Sequence, residues 1–164
     1  VTRPHLLVFM TDDHGAWAMP RHGEGPARHL HAPTAVQAPA LTRRAIFEAL
    51  HARRCYATTG ARIVADFTAN GRPMGSEIAQ SPGEPRVFEI MIRATAPLDR
   101  VQLISCGTVL AEMPVEPDTL DFNATWEDKR PGRPLRDCYY YIRARQADGH
   151  CAWLSPIWFD LADD

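Results

Sequence analysis

The sequence predicts a mainly β fold, an antiparallel sandwich of immunoglobulin or fibronectin type over residues 61–164. Three observations carry that expectation. After Gly60 the apolar residues recur with period two: Leu120, Phe122, Ala124 and Trp126 alternate with Asp121, Asn123 and Thr125, which buries one face of a strand and wets the other. The dipeptides Asn70-Gly71, Cys106-Gly107 and Asp148-Gly149 are closely spaced turn signals between such runs. With 45% hydrophobic and 23% charged residues over 164 positions, the chain has a soluble composition and enough length to bury a core.

Each element follows from local pattern. The run Pro4 to Met10 is continuously apolar and ends in Thr11-Asp12-Asp13-His14, as a buried parallel strand does when its C-terminal end faces a site. From Gly15 to Ala40, Pro20, Pro26, Pro33 and Pro39 with Gly23 and Gly25 predict a long loop. Thr42 is placed to N-cap a helix reaching about Arg54, with Ile46, Phe47 and Leu50 on one face and Arg53-Arg54 at the end where a helix dipole favours cations. Strands are then expected over 62–69, 86–94, 100–105, 108–113, 120–126, 138–145 and 150–161. With Asp148-Gly149 as a two-residue turn, Cys138 faces position 159 and Cys151 faces Gln146.

Charge and composition exclude several function classes. Net charge is −2, and Lys129 is the single lysine among eighteen basic residues. No basic patch of the kind phosphate neutralisation requires stands out, so nucleic acid is not an expected partner. No run approaches the roughly 20 apolar residues that cross a bilayer, and Leu6 to Met10 is too short for a secretory core, so a cytoplasmic location without a membrane partner is expected. Cys55, Cys106, Cys138 and Cys151 show no metal-ribbon spacing and read as reduced, mostly buried thiols. The start at Val1 fits a processed, truncated or fragmentary product as well as an alternative start codon.

Chemistry is suggested first by Thr11-Asp12-Asp13-His14. A carboxylate and an imidazole two residues apart at a strand end can turn onto one zinc, manganese or iron ion. The same four residues also suit a helix cap or Asx turn. Asp66, Glu77, Glu84 and Glu89 are scattered and read as solvated. Trp126, Tyr139, Tyr140, Tyr141, Trp153 and Trp158 would line a carbohydrate or peptide groove if exposed, and would otherwise fill the core.

From His14 onward, through Pro39 to Leu50, Arg53 to Gly60, Asp66-Phe67, Asn70-Gly71 and Met74-Gly75 to the closing Ala152 to Trp158, the chain resembles the C-terminal part of an uncharacterised PHP-like family, of the polymerase and histidinol phosphatase superfamily. The resemblance is collinear over nearly the whole chain, and Tyr56 to Gly60 is its most specific part. It implies that residues 1–60 are a strand, loop and helix left from the end of an α/β barrel, and that 61–164 is an appended sandwich. It further implies that Asp12 and His14 are a late Asp-x-His pair of metal ligands, with Asp13 in the variable place. The remaining ligands of such a site would lie upstream of Val1, and His29-Leu30-His31 reads as loop.

Residues Arg3 to Gly15, followed by His31-Ala32-Pro33-Thr34, carry a second resemblance, confined to the first thirty or so residues, to the opening strand of sulfatases, where adjacent aspartates hold calcium. It would engage Asp12 and Asp13, but the chain has no Cys/Ser-x-Pro-x-Arg nucleophile motif.

The functional expectation is therefore the C-terminal portion of a PHP-like metal-dependent hydrolase of phosphoesterase type. Alone it should be inactive; intact, it would take a small-molecule or phosphoester substrate. The alternatives are a non-catalytic sandwich that binds carbohydrate or protein, and a sulfatase-like fragment. Apolar surface left by a missing barrel would favour a homo-oligomer.

Overall fold

A computed structural model describes residues 33–81, 83–129 and 138–161. Among these, twelve strands and one helix run in the order β1 (Thr34–Val36), α1 (Arg43–His51), β2 (Cys55–Thr58), β3 (Val64–Ala69), β4 (Arg72–Pro73), β5 (Glu77–Gln80), β6 (Arg86–Arg93), β7 (Leu98–Ser105), β8 (Thr108–Met113), β9 (Asp121–Asp128), β10 (Cys138–Gln146), β11 (Cys151–Leu154) and β12 (Ile157–Leu161). The smaller sheet has the order β4-β3-β6-β9 and is antiparallel throughout. The larger runs β1-β2-β11-β10-β12-β5, with β7 on the other side of β10 and β8 beyond it. All its pairs are antiparallel except β5 with β12. The two sheets pack face to face as a β-sandwich.

Alternation fixes which side chains enter that sandwich. Phe67, Phe88, Ile90 and Ile92 of the smaller sheet meet Leu103, Tyr140, Ile142, Ile157 and Phe159 of the larger, all at most 2% exposed. Phe88 is the hub: its ring centroid lies 4.8 Å from Tyr140, 5.8 Å from Phe67, 6.0 Å from Trp126 and 6.1 Å from Phe159. Burying each such ring contributes roughly 1.5–3 kcal/mol.

Two of the three expected turns have the expected form. Asn70-Gly71 (φ 47° and 72°) and Cys106-Gly107 (φ 48° and 78°) are left-handed at both positions, as a two-residue hairpin turn requires. The third differs. Gly149 N donates to Gln146 O (3.0 Å) and Gln146 N to His150 O (2.8 Å), which makes Ala147-Asp148-Gly149 a three-residue loop. Cys151 therefore faces Arg145, not Gln146. Cys138 nevertheless faces Phe159, because the register slips back by one at Ser155-Pro156, where proline has no N–H and divides the expected single strand into β11 and β12.

Residues 33–60 also depart from expectation. Thr34–Val36 is a strand rather than loop, and β2 pairs antiparallel with both β1 and β11. The larger sheet thus continues across the boundary expected at residue 60. The described residues form no parallel barrel arrangement; they form a helix on an antiparallel edge. Tyr56 explains the attachment: its buried hydroxyl donates to Ile63 O (2.9 Å) and accepts from Ala65 N (3.2 Å), and burial pushes its pKa up to about 12.

The helix is capped by Thr42, whose Oγ1 accepts from Ala45 N, but its buried residues are Ala45 and Ala49, while Phe47 is 66% exposed. The small alanine face lets α1 lie close to β1, and larger Ile46 and Leu50 sit at the rim.

Candidate binding face

Period-two alternation along β10 divides its three consecutive tyrosines. Tyr140 points into the core, while Tyr139 and Tyr141 are half-buried on the outer face with ring centroids 6.4 Å apart. Tyr139 lies directly opposite Trp158 of β12, and Arg143, two residues beyond Tyr141, lies opposite Trp153 of β11. Trp153 and Trp158 are also half-buried. The outer face of the larger sheet therefore carries two tyrosines and two tryptophans across three strands.

Polar contacts hold the neighbouring side chains in place. Arg143 donates through Nε and Nη2 to Gln102 Oε1 (3.0 and 2.6 Å), and Gln102 Nε2 donates to Glu112 Oε2 (2.7 Å). At the other end the Arg53 guanidinium lies 4.8 Å from the Trp158 ring centroid and donates to Glu77 Oε1 (2.6 Å) and Gly75 O (3.0 Å). Arg53 is left-handed (φ 56°). It closes the C-terminus of α1: Arg53 N donates to Leu50 O and Arg54 N to Ala49 O, the Schellman pattern usually given to glycine.

The outer face of the smaller sheet is different in kind. Asp66, Thr68, Glu89, Met91, Asn123 and Thr125 border an open depression of about 390 Å³. Thr68 Oγ1 donates to Glu89 Oε2 (3.0 Å), and Asp66 Oδ1 accepts from Gln37 Nε2 (3.3 Å). These two carboxylates are occupied by neighbours, and among the described residues no group of three or more His, Cys, Asp or Glu is placed to hold a metal.

A polar network around Tyr140 lies in the interior. Tyr140 Oη accepts from Arg86 Nη1 (2.7 Å) and donates to Asp128 Oδ2 (3.1 Å), and Arg86 Nε donates to Gln80 Oε1 (3.1 Å). Burial raises the Tyr140 pKa to about 12 against the opposing pull of Arg86. The Arg86 guanidinium also sits 4.9 Å from the Phe159 ring centroid. This arrangement satisfies a buried charge and joins the sheets.

The sequence-predicted ligands Asp12, Asp13 and His14, with His29 and His31, lie outside the described residues. Of the aromatic set, Tyr140 is core, Trp126 packs against the core, and Tyr139, Tyr141, Trp153 and Trp158 share the outer face. Of the cysteines only Cys138 is buried; Cys55 and Cys151 are half-buried and Cys106 is exposed. No described helix is long and apolar enough to cross a membrane.

The chain is 38% identical over 141 residues to an uncharacterized protein of Chlamydia pneumoniae and 34% identical over 143 residues to one of Chlamydia trachomatis, in each case over 78% of this chain and 22% of the relative. It thus spans about a fifth of the length of the curated relatives it matches. Among solved structures it is similar to a chain from the structures of Clostridium thermocellum CbhA fibronectin(III)-like modules, with 15% identity and a TM-score of 0.35 over 59% of this chain and 99% of that one. Residues 27–116 match the model of the family described as "Protein of unknown function (DUF3604)", and the chain belongs to that family.

Proposed function

We propose that the sandwich is a non-catalytic protein-binding module, and that its contact surface is the outer face carrying Tyr139, Tyr141, Trp153 and Trp158. The observation that carries this reading is the opposition of Tyr139 and Trp158, with the other two rings and Arg143 on the same face. Tryptophan, tyrosine and arginine dominate the energetics of protein interfaces because they bury much area at little conformational cost. The partner proposed is the remainder of a family protein, since the relatives are several times longer than the matched region.

The finer fold assignment, an immunoglobulin or fibronectin type, belongs to the same reading. It is supported by β3-β6-β9 packing against β8-β7-β10-β12, with β5 running parallel to β12.

The test uses tryptophan fluorescence. The unmatched part of the C. pneumoniae relative is titrated into this chain and, as reference, into that relative's own matched region; soluble oligosaccharides form a separate arm. A shift with the protein that a chelator leaves intact, and that Tyr139→Ala and Trp158→Ala abolish, is expected. Unchanged binding by both variants would sink the assignment of the face, and a shift with oligosaccharide alone would replace protein by carbohydrate.

A second reading is favoured by the same length difference, which leaves room elsewhere in a family protein for a catalytic barrel. In it this chain is the C-terminal portion of a PHP-like hydrolase, and Asp12 and His14 would hold a divalent metal that polarises a phosphoryl group. A full-length protein of this kind should retain zinc, manganese or iron through dialysis. Asp12→Ala with His14→Ala should lower that content; no change would end the reading. Calcium lost with Asp13→Ala would favour the sulfatase-like alternative.

A further inference from the structure

The β7–β8 turn brings Cys106 to the start of β10, where its Sγ lies 2.9 Å from Cys138 Sγ. These residues are 32 positions apart in sequence, and the pairing of β7 with β10 brings them together. The backbone is tied at the same place, since Cys106 N donates to Tyr139 O (3.3 Å). Both are thiols here. A disulfide needs about 2.05 Å between sulfurs, so bond formation asks for a movement of less than about an ångström.

We propose that Cys106 and Cys138 are a dithiol that closes reversibly to a disulfide by exchange with a low-molecular-weight disulfide. Their unequal exposure sets the order of events. Cys106 is exposed and can meet an incoming disulfide, whereas Cys138 is 1% exposed and cannot. Burial also pushes the Cys138 thiol up, which disfavours it as the first nucleophile because the thiolate is the attacking species.

In the first step the Cys106 thiolate attacks one sulfur of the small disulfide. A mixed disulfide forms and one small thiolate leaves. In the second step the Cys138 sulfur attacks Cys106 Sγ and expels the second small thiolate, which takes the Cys138 proton as it leaves. Ser105 Oγ, 3.2 Å from Cys138 Sγ, is placed to donate to the sulfur as it becomes anionic. The pair loses two electrons and two protons, and the small disulfide becomes two thiols. The bond would pin the β7–β8 turn beside Tyr139, and so bring redox state next to the outer aromatic face.

The experiment exposes the whole chain to oxidised glutathione, followed by thiol counting and peptide mapping by mass spectrometry. The intact protein should lose two hydrogens, its reactive thiols should fall from four to two, and the bond should join Cys106 to Cys138. Cys55→Ser with Cys151→Ser should form the same bond. Cys138→Ser should stall with glutathione on Cys106, and Cys106→Ser should form neither species. A thiol count that stays at four, a glutathione adduct on wild-type Cys106 that never resolves, or a bond through Cys55 or Cys151 would each overturn the proposal.

Discussion

The inter-sheet core and the flank built from β1, α1 and β2 are held by different means. The core is large and aromatic, with Phe67, Phe88, Tyr140 and Phe159 at most 1% exposed. The flank has a small satellite core of Val36, Ala38, Ala45 and Ala49, too little apolar volume to hold a helix by burial alone. Its position depends on backbone fit. A Cβ at Gly75 would lie 2.3 Å from Ala52 O and 2.7 Å from Arg53 Cβ, so the helix terminus sits directly against that glycine. The core should therefore answer to lost volume, and the flank to lost shape.

The sharpest contrast should come from Phe88→Ala. Removing a ring that touches four other aromatic rings leaves a cavity between both sheets, and the expected cost is about 3–5 kcal/mol, read as a lower urea midpoint with unchanged slope. Next, Gly75→Ala adds a single methyl to a position with φ 85°. Strain and clash should cost about 2–3 kcal/mol. The loss should be local: amide exchange in α1 speeds up while β6 and β10 stay protected. If both variants lost protection uniformly, the two regions would be one cooperative unit and the contrast would fail.

How much of this was legible in the sequence follows the same division. The paired strands of the core announce themselves by alternation, and β6, β8 and β9 begin and end within a residue or two of expectation. The helix was legible from Thr42, but its buried face was not. Ile46, Phe47 and Leu50 are the larger apolar residues, yet close approach to β1 selects Ala45 and Ala49.

Non-local pairing was the least legible. That β2 would join β11, or that Cys106 would meet Cys138, depends on sheet order, which no local pattern encodes. The outer aromatic face could have been found, because period two applied to Tyr139, Tyr140 and Tyr141 separates the core ring from its neighbours. The metal-site expectation at Asp12 and His14 falls on residues outside those described.

The buried tyrosines offer a probe of how the two regions join. Tyr140 links the sheets and Tyr56 links the flank to β3, and burial raises both pKa values to about 12. An unfolded tyrosine titrates near pH ~10, so between about pH 10 and 12 the native state holds protons that the unfolded state has released. Their contribution is complete below pH ~10 and is lost as pH rises through about 12. Phenolate absorbance should show Tyr56 and Tyr140 ionising late, together with falling stability. Tyr140→Phe should remove its part of that pH dependence. It should cost about 1.5–2 kcal/mol at neutral pH by taking a hydrogen-bond partner from Arg86 and Asp128.

The smallest effect should be at the start of α1. Thr42→Ala removes the oxygen that accepts from Ala45 N at 3.2 Å and should cost about 1 kcal/mol. Its value lies in where the loss is felt. Should the flank be held by fit at its C-terminal end, through Arg53, Gly75 and Glu77, the first turn of α1 will fray while Arg53 keeps its place over Trp158. Exchange should then quicken at Ala45 and Ile46 and remain slow at Arg53 and Arg54, whose amides are bonded to Leu50 and Ala49. Equal quickening at both ends would mean that the helix docks as a rigid unit, and would move the anchor of the flank from its C-terminal cap to the satellite core.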